Sequence, residues 1–402
     1  MPIGTDTMTL TYNENIHSRP RAWGAVFSMT LCVFVLIASE FMPVSLLTPI
    51  AADLGVSEGS AGQAISISGI FAVFTSLFIA ALTRRLDRRV VVLALTFLLM
   101  LSGVAVTFAP SYPMLMLGRA LLGISIGGFW SMSTSIVMRL VSRDQVPKAL
   151  ALLNAGNAIA ATISAPLGSL LGSYIGWRGA FFLVVPVGLL ALIWQWISLP
   201  TLSPRRDGAS RNVLRLLARP PVALGMAAIL LLFMGQFAFF TYLRPFLEQV
   251  THLGIETLSL MLLVMGLSGV AGTSLVGRLL THRLFSTLIV IPFLMACIAL
   301  AMIGIGEMRT PVVMSLIGWG LLGTAAPVAW GTWLSRVLAD DAEAGGGLQV
   351  AVIQLAITAG ASLGGLLFDA LGWWSTFSLS ALLLFGSSLA SFAAWLSARR
   401  AS

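Results

Sequence analysis

The sequence predicts an all-α integral membrane protein with twelve transmembrane helices, arranged as two parallel repeats of six. Three observations support this fold class. Apolar residues make up 58% of the 402 residues and charged residues only 9%, which is not the composition of a soluble globular domain. Apolar runs such as VVVLALTFLLMLSGVAVTFA reach the ~20 residues that cross the hydrocarbon core of a bilayer. Two segments of the first half recur, in the same order, in the second half.

Charged residues, Pro and Gly divide the apolar sequence into spans, and each span predicts a helix because lipid cannot satisfy free backbone groups. The predicted spans are 23–49, 60–82, 90–109, 113–139, 147–174, 179–199, 221–243, 258–280, 285–305, 311–338, 346–370 and 373–397. They group into an N-terminal bundle (23–199) and a C-terminal bundle (221–397). The remaining segments are a polar tail (1–22), a basic linker (200–220) and a short C-terminal tail (398–402).

The basic residues predict the orientation of the spans. With both termini in the cytoplasm, 19 of the 23 basic residues fall on the cytoplasmic side, as the positive-inside rule requires. The net charge of +8 is therefore explained by topology, and we do not expect a nucleic-acid partner.

The internal repeat predicts where a substrate would bind. GRALLGISIGGFW (118–130) aligns with GWGLLGTAAPVAW (318–330), and IGWRGAF (175–181) aligns with LGWWSTF (371–377). Both pairs keep their order and direction, as parallel repeats related by an axis along the membrane normal would. Such repeats place the substrate site near the midplane, between the halves.

Local motifs resemble those of the major facilitator superfamily. LGRALLGISIGG resembles the helix-4 motif of this family, with Arg119 at its basic position and Gly123 at its glycine. NAIAATISAPLGSLLG resembles the helix-5 motif of the twelve-span drug:proton antiporters, with Ala165, Pro166 and Gly168 as its core. The family resemblance implies two six-helix bundles and transport by alternating access.

A third motif of the family is altered in this sequence. TRRLDRRVVV stands where the cytoplasmic helix 2–3 signature would lie, and it contains Asp87 and Arg88. Asp87 is either the acidic residue of that signature or aligned with its later glycine. We therefore assign these two residues to a gating or structural motif without transferring the family's charge network.

Longer segments resemble the proton-driven purine ribonucleoside efflux pumps of bacteria. These segments are SEFMPVSLLTPIAADLGVSEG, GQFAFFTYLRPF and LQVAVIQLA, and the similarity runs from about Trp23 to the last helix. The resemblance implies a bacterial inner-membrane protein that exports inosine, guanosine and their analogues in exchange for protons.

Glu40 is the only one of the fifteen acidic residues that lies well inside a predicted span. A charge at the bilayer centre costs about 2.5–3.5 kcal/mol on insertion scales, so such residues usually face a cavity and act there. Burial favours the protonated carboxyl and a nearby cation favours the ionised one, so a group subject to both can load and release a proton.

At 1.5 Å per residue, Arg119 lies ~9 Å below the outer surface in span four, and Glu40 lies ~15 Å below it in span one. At these depths the two side chains could reach each other. We hypothesise that protonation of Glu40 loosens its pairing with Arg119 and shifts the inward–outward equilibrium. The alternatives are a static buried ion pair, or a permanently protonated Glu40 bonded to a neighbouring backbone group.

A nucleoside needs aromatic faces for its base and amides or hydroxyls for its polar edges. Inside the spans, the side chains with this chemistry are Trp130, Asn154, Asn157, Gln236, Phe240, Tyr242, Trp330 and Gln354. Each of them also has a structural alternative, because polar side chains join membrane helices and tryptophans pack or anchor at interfaces.

The sequence contains no catalytic constellation, metal-ligand spacing or phosphate-binding loop, so we expect neither an enzyme nor a cofactor. The expected partners are a small-molecule substrate, protons and the lipid bilayer, with the chain acting as a monomer. Efflux of drugs or sugars by the same mechanism is the alternative function. A pore or a ligand-sensing membrane receptor is a third possibility, of a different class.

Overall fold

The computed structural model describes residues 19–142, 145–203, 213–338 and 342–401, and the structural statements below concern these residues. They form α-helices joined by short loops. The helices are α1 (Arg19–Leu54), α2 (Glu58–Leu82), α3 (Arg88–Thr107), α4 (Tyr112–Leu140), α5 (Val146–Phe182), α6 (Val184–Ser198), α7 (Pro220–Phe240), α8 (Leu243–Gln249), α9 (Ile255–Ile305), α10 (Arg309–Val337), α11 (Ala342–Leu371) and α12 (Trp373–Ala401). A short 3-10 helix, Val213–Ala218, precedes α7.

Two of these helices each contain a sharp bend. In α5, Gly176 adopts φ 75° and ψ 163°, a conformation that only glycine takes without strain, so the end of α5 and α6 together form the sixth span. In α9, Arg283 leaves helical geometry at φ −133° and ψ 42°, and this separates spans eight and nine. The short α8 extends span seven beyond α7. The described residues contain eleven helical stretches long and apolar enough to cross a membrane, and division of the longest, Lys148–Ser198, at the Gly176 bend gives twelve segments in the order of the predicted spans.

The helices extend further than the predicted spans at both ends of the chain. α1 begins at Arg19, inside the segment predicted as an N-terminal tail, and α12 continues to Ala401, through most of the segment predicted as a C-terminal tail. Residues 1–18 and 204–212, which include most of the predicted tail and the centre of the predicted linker, lie outside the described residues.

Each half of the chain has its own apolar core. Met29, Leu36 and Phe129 are among the buried residues of the first half, and Phe239 and Phe377 among those of the second. Large apolar side chains are exposed on the outside of the bundle, as expected where helices face lipid rather than water; examples are Phe74, Phe97, Ile197, Leu382 and Leu389.

The two segments that the sequence repeat aligns occupy equivalent packing positions. In α4, a Cβ atom added at Gly127 would overlap the main-chain carbonyl of Ala72 on α2. In α10, a Cβ added at Gly320 would overlap the carbonyl of Met265 on the first part of α9. Small residues allow such close backbone approach in membrane bundles. The fourth helix of each half therefore packs against the second helix of the same half.

The two faces of the bundle differ in how the halves meet. We call the face with the ends of the described chain the terminal side, and the opposite face, with the α1–α2 and α11–α12 loops, the distal side. On the distal side, Ser57 Oγ donates to Asp369 Oδ2 at 2.6 Å and Gly59 N donates to Asp369 Oδ1 at 3.0 Å. Gln249 Nε2 also donates to Glu58 at 3.0 Å. These bonds close the distal side between the halves.

Gly127→Ala should lower the thermal unfolding midpoint of the purified protein by several degrees, because the added methyl group meets the α2 backbone. Overpacking of this kind costs about 1–3 kcal/mol. The matched control is Gly304→Ala on α9, where a Cβ meets nothing within 4 Å. The control should be neutral or slightly stabilising, since alanine favours helices over glycine. Equal midpoints for the two variants would contradict the described α2–α4 packing.

Candidate functional site

Two prolines inside α1 leave two main-chain carbonyls without their helical partners. Proline has no backbone N–H, so Pro43 cannot bond the carbonyl of Ser39, and Pro49 cannot bond that of Ser45. In lipid, such carbonyls must find partners within the protein. Two buried arginines supply them: Arg119 and Arg244 are 1% and 5% exposed.

Arg119 is held almost entirely by carbonyl oxygens. Its Nη1 donates to the Ser39 carbonyl at 2.6 Å, and its Nε donates to the Ala64 carbonyl on α2 at 2.9 Å. Its Nη2 donates to the main-chain carbonyl of Glu40 and to Ser68 Oγ, both at 3.2 Å. The predicted neighbours Glu40 and Arg119 therefore do meet. However, the guanidinium bonds the backbone of Glu40 rather than its carboxylate.

The Glu40 carboxylate lies at the junction between the halves. Its side chain is buried, and Oε1 accepts a long hydrogen bond of 3.4 Å from Gln354 Nε2 on α11. The other amide atom, Gln354 Oε1, is buried without a hydrogen-bond partner, and so is the hydroxyl of Ser39. The contact between Glu40 and Gln354 therefore has unused hydrogen-bonding capacity beside a buried carboxylate.

Phe41, the residue that follows this acid, contacts two phenylalanines of the other half. The ring of Phe41 on α1 is 5.7 Å from that of Phe237 and 6.4 Å from that of Phe240 on α7. Phe41 and Phe240 are half-buried, as is Gln236 in the preceding turn of α7. Phe237 is buried, whereas the half-buried Phe41 and Phe240 remain candidates for the aromatic faces of the predicted nucleoside site.

Gln236 also lies beside a carbonyl that a proline leaves unbonded. Its Nε2 is 3.5 Å from the carbonyl of Gly323, which Pro327 leaves without its helical bond, and its Oε1 is buried without a partner. Together with the Glu40–Gln354 contact, this gives the candidate site two amides with free acceptor atoms.

The structure places two of the predicted binding residues in packed cores, away from the candidate site. Tyr242 is fully buried; its hydroxyl donates to the Ala361 carbonyl at 2.8 Å, and its ring stacks on Phe368 at 5.2 Å. Trp330 is 1% exposed and makes an edge-on contact with Trp333, 5.3 Å between centroids. Both side chains are packed in this structure, as the structural alternative expects, and a contribution of either to substrate binding remains a prediction.

The other predicted residues lie nearer the terminal side than Glu40. Trp130 on α4 and Asn157 on α5 are half-buried, and Asn154 is exposed. Asn154 Nδ2 donates to the Leu150 carbonyl of its own helix at 3.0 Å. A contribution of these three side chains to substrate binding remains a prediction.

The altered helix 2–3 motif fastens the start of the linker to the first half. Asp87 caps α3 by accepting from Arg89 N at 2.8 Å, and it also accepts from Leu202 N. Arg88 N donates to the Leu202 carbonyl at 3.0 Å, and Arg88 Nη1 donates to Thr83 Oγ1 at 2.6 Å. These contacts are structural, within the first half and the start of the linker. A gating role for the motif remains a prediction.

The helix-5 motif residues lie at close backbone contacts. Pro166 leaves the Thr162 carbonyl unbonded, and a Cβ added at Gly266 on α9 would lie 2.6 Å from that oxygen. A Cβ added at Gly168 would lie 2.6 Å from Ser45 Oγ on α1. The motif therefore allows α5 to pack closely against α1 and, across the halves, against α9.

Sequence reasoning did not identify Phe41, Phe237 or Arg244. Nothing in the sequence marks which phenylalanines of an apolar helix contact the other half of the chain. Arg244 carried a signal, because it is one of the four basic residues that do not fit the positive-inside pattern. The others are Arg119, Arg178 and Arg309, and each of the four bonds a main-chain carbonyl.

A family model described as Major Facilitator Superfamily matches residues 29–349. The chain belongs to this family, and it is a membrane transporter rather than an enzyme.

Two kinds of curated relatives cover nearly the whole chain. The transcription regulatory protein OpdE of Pseudomonas aeruginosa is 53% identical over 393 residues, covering 97% of each chain. The purine ribonucleoside efflux pump NepI of Escherichia coli O6:H1 is 46% identical, covering 92% of this chain and 93% of NepI. NepI of Salmonella enteritidis PT4 is 45% identical, covering 92% and 96%.

Among solved structures, a bacterial homolog of the human lysosomal transporter Spinster, inward-facing and unoccupied, matches with a TM-score of 0.75. That match covers 95% of this chain and 98% of the homolog at 15% identity, a similarity of fold alone.

Arg119→Leu should destabilise the protein, because each buried carbonyl that it leaves unbonded costs about 1–3 kcal/mol. Pro43→Ala added to Arg119→Leu should recover part of that loss, since the new N–H can bond the Ser39 carbonyl. Thermal unfolding of the single and double variants measures this coupling. Pro292→Ala, on α9 and away from Arg119, is the control and should give no rescue. Purely additive effects of Arg119→Leu and Pro43→Ala would contradict the shared carbonyl.

Proposed function

We propose that this protein exports purine ribonucleosides, such as inosine and guanosine, by alternating access in exchange for protons, with Glu40 carrying the proton. The single observation that carries the proposal is the composition of the junction between the halves. There, the buried Glu40 accepts a hydrogen bond from Gln354 of the other half, and the neighbouring Phe41 contacts Phe237 and Phe240 of α7. The efflux pumps named NepI, at 45–46% identity over nearly the whole chain, support the substrate class.

The aromatic rings and the amides match the two needs of a purine nucleoside. Base–aromatic stacking contributes about 1–3 kcal/mol per base in nucleic-acid binders, and Phe41 and Phe240 are half-buried beside the junction. Amide groups can bond the polar edges of a base and the ribose hydroxyls, and Gln236 and Gln354 each keep an unused acceptor oxygen. A purely apolar multidrug cavity would not need these amides.

Protonation of Glu40 would change its contact with Gln354. An ionised carboxylate can only accept hydrogen bonds, and it accepts from Gln354 Nε2. A protonated carboxyl can instead donate to Gln354 Oε1, which lacks a partner. Arg119 adds a fixed positive charge next to the Glu40 backbone. Binding and release of a proton would thus alter a contact that joins the two halves.

The terminal side is proposed to face the cytoplasm of a bacterial cell, with the chain in the inner membrane as a monomer. The excess of Lys and Arg on the terminal side supports this orientation through the positive-inside rule. Substrate would enter from the terminal side while the distal side is closed.

A regulatory role is the second candidate, because the relative at 53% identity carries the name transcription regulatory protein. Export of a metabolite changes the concentration that intracellular regulators sense, so a transporter can alter transcription without contacting DNA. The two candidates differ in a direct assay, since only a carrier moves substrate in vesicles that lack the transcription machinery.

The proposed function is tested by uptake of radiolabelled inosine into inside-out vesicles, with and without an imposed proton gradient. We expect saturable uptake that the gradient accelerates. Glu40→Gln should abolish the acceleration while leaving the protein folded, because glutamine keeps the size of the side chain but cannot exchange a proton. The matched control is Glu307→Gln, the same change at an exposed acid in the α9–α10 loop, and it should transport like the parent.

The outcomes separate the parts of the proposal. Uptake of neither inosine nor guanosine would overturn the substrate class and favour drug, sugar or regulatory roles for the same fold. Uptake that responds to the proton gradient in Glu40→Gln as in the parent would remove Glu40 from proton coupling.

Phe41→Leu should raise the inosine KM about 5- to 150-fold, as expected for the loss of one base-stacking face. The matched control is Phe293→Leu on α9, whose ring is 48% exposed on the apolar surface and should not affect KM. Initial rates of inosine uptake at graded concentrations provide the measurement. An unchanged KM in Phe41→Leu would exclude this ring from the substrate site.

A further inference from the structure

The second proline-released carbonyl of α1 is bonded across the junction between the halves. Pro49 leaves the carbonyl of Ser45 without its helical hydrogen bond, and Arg244 Nη1 donates to that oxygen. Ser45 belongs to the first half of the chain, whereas Arg244 lies on α8 in the second half. The contact therefore exists only while the two halves meet on the distal side.

The contact is reinforced by an acid on the same short helix. Arg244 Nε donates to Glu248 Oε1 at 2.8 Å, and Glu248 Oε2 accepts from Thr48 Oγ1 at 2.7 Å. Thr48 and Ser45 are neighbours on one face of α1, at i and i+3. α8 therefore bonds one turn of α1 at two points, through Arg244 at the Ser45 carbonyl and through Glu248 at Thr48. Both bonds are charge-assisted, and such bonds are stronger than neutral ones.

We infer that Arg244 is the lock of the distal gate: it holds the carrier closed on that side by bonding the carbonyl that Pro49 releases, and opening requires this bond to break. The arginine is 5% exposed, so it has no water to replace the carbonyl while the gate is closed. A helix without Pro49 would bond the Ser45 carbonyl internally, so Arg244 would have to share that oxygen with an N–H of α1. Pro49 thus frees the Ser45 carbonyl to accept a hydrogen bond, and Arg244 of the other half donates that bond.

Two comparisons within the molecule distinguish a lock from ordinary packing. Arg119 bonds the carbonyl released by Pro43, but Arg119 and Ser39 belong to the same half, so that bond can persist throughout a transport cycle. Arg178 also lies on the distal side, but it pairs with Asp53 and bonds the Ala109 carbonyl within the first half. Within the part of the chain that the structure describes, only the Arg244 contact is a hydrogen bond from one half to a proline-released carbonyl of the other.

Other hydrogen bonds between the halves also hold the distal side closed, and they limit how far loss of Arg244 can open it. Asp369 accepts hydrogen bonds from Ser57 and Gly59, and Gln249 donates to Glu58 across the junction. Loss of Arg244 should therefore shift the equilibrium toward distal opening without abolishing closure. The inference needs only the transporter class, so it stands apart from the nucleoside substrate and from proton coupling.

The test is reagent access to a cysteine placed in the closed junction. Ser362 on α11 faces Gln63 of the first half, with Ser362 Oγ donating to Gln63 Oε1 at 2.9 Å. In a background with Cys32→Ser and Cys297→Ser, Ser362→Cys is labelled with a membrane-impermeant maleimide from the distal side of proteoliposomes. Ala228→Cys, fully buried in the core of the second half, reports unfolding and should stay unlabelled.

We expect Arg244→Ala to accelerate labelling of Ser362→Cys about tenfold or more, as the loss of a hydrogen bond to a charged group predicts. Pro49→Ala, which keeps every side chain of the lock, should give a smaller acceleration because its new N–H competes for the Ser45 carbonyl. Combining the two changes should give no more than Arg244→Ala alone. The matched control, Arg178→Ala, removes an arginine on the same side and should label at the parent rate.

Two results would overturn the inference: parent-rate labelling in Arg244→Ala, or an equal acceleration in Arg178→Ala, which would indicate general loosening of the distal side. If Arg244→Ala also exposes the Ala228→Cys reporter, that variant is unfolded, and Pro49→Ala then decides. Acceleration in Pro49→Ala supports the lock, and a parent rate refutes it.

Discussion

Main-chain carbonyls that proline leaves unbonded inside the membrane are the constraint on which this structure depends. Lipid offers no donor to them, so the protein must supply one or bring a backbone close enough to shield the oxygen. Five prolines lie inside the described helices, and the carbonyl oxygens that four of them release are each met by a particular residue. The pairs are Ser39 with Arg119, Ser45 with Arg244, Gly323 with Gln236, and Thr162 with the close approach of Gly266.

This constraint explains why a carboxylate is tolerated in the middle of α1. Because Pro43 leaves the Ser39 carbonyl free, the Arg119 guanidinium donates to it, and the same guanidinium donates to the carbonyl of Glu40. The positive charge is thus held by the backbone, beside the acid but not neutralised by direct pairing with its carboxylate. The carboxylate keeps a single weak contact, the 3.4 Å bond from Gln354. A group with that environment remains free to change its hydrogen bonds, which a tightly paired ion would not be.

The sequence predicted the spans, the repeat and the proximity of Glu40 and Arg119, because each rests on a pattern along one chain segment. Apolar length defines a crossing, and an ionisable residue inside a crossing stands out. The rotation of each helix is not encoded so directly. Tyr242 and Trp330 have the chemistry of a nucleoside site but face packed cores, whereas Phe41 and Phe237 meet at the junction. Which face points inward depends on contacts such as Glu40 with Gln354, between residues far apart in the chain.

The two arginine-bound carbonyls of α1 connect the centre of the molecule to its distal side. Ser39 and Ser45 are six residues apart, about 9 Å along the helix at 1.5 Å per residue. Pro43 and Pro49 interrupt the hydrogen bonds of the intervening segment, so this stretch can bend more readily than an unbroken helix. Its central end is fixed within its own half by Arg119, and its distal end is held by the other half through Arg244. A change at Glu40 that moves α1 against α11 would therefore act on the distal contact through one short, weakened segment. Of the bonds that cross between the halves at α1, the Arg244 bonds at the distal end are charge-assisted and the Gln354 bond at the centre is long and weak. This arrangement lets a small central change decide whether the distal side stays closed.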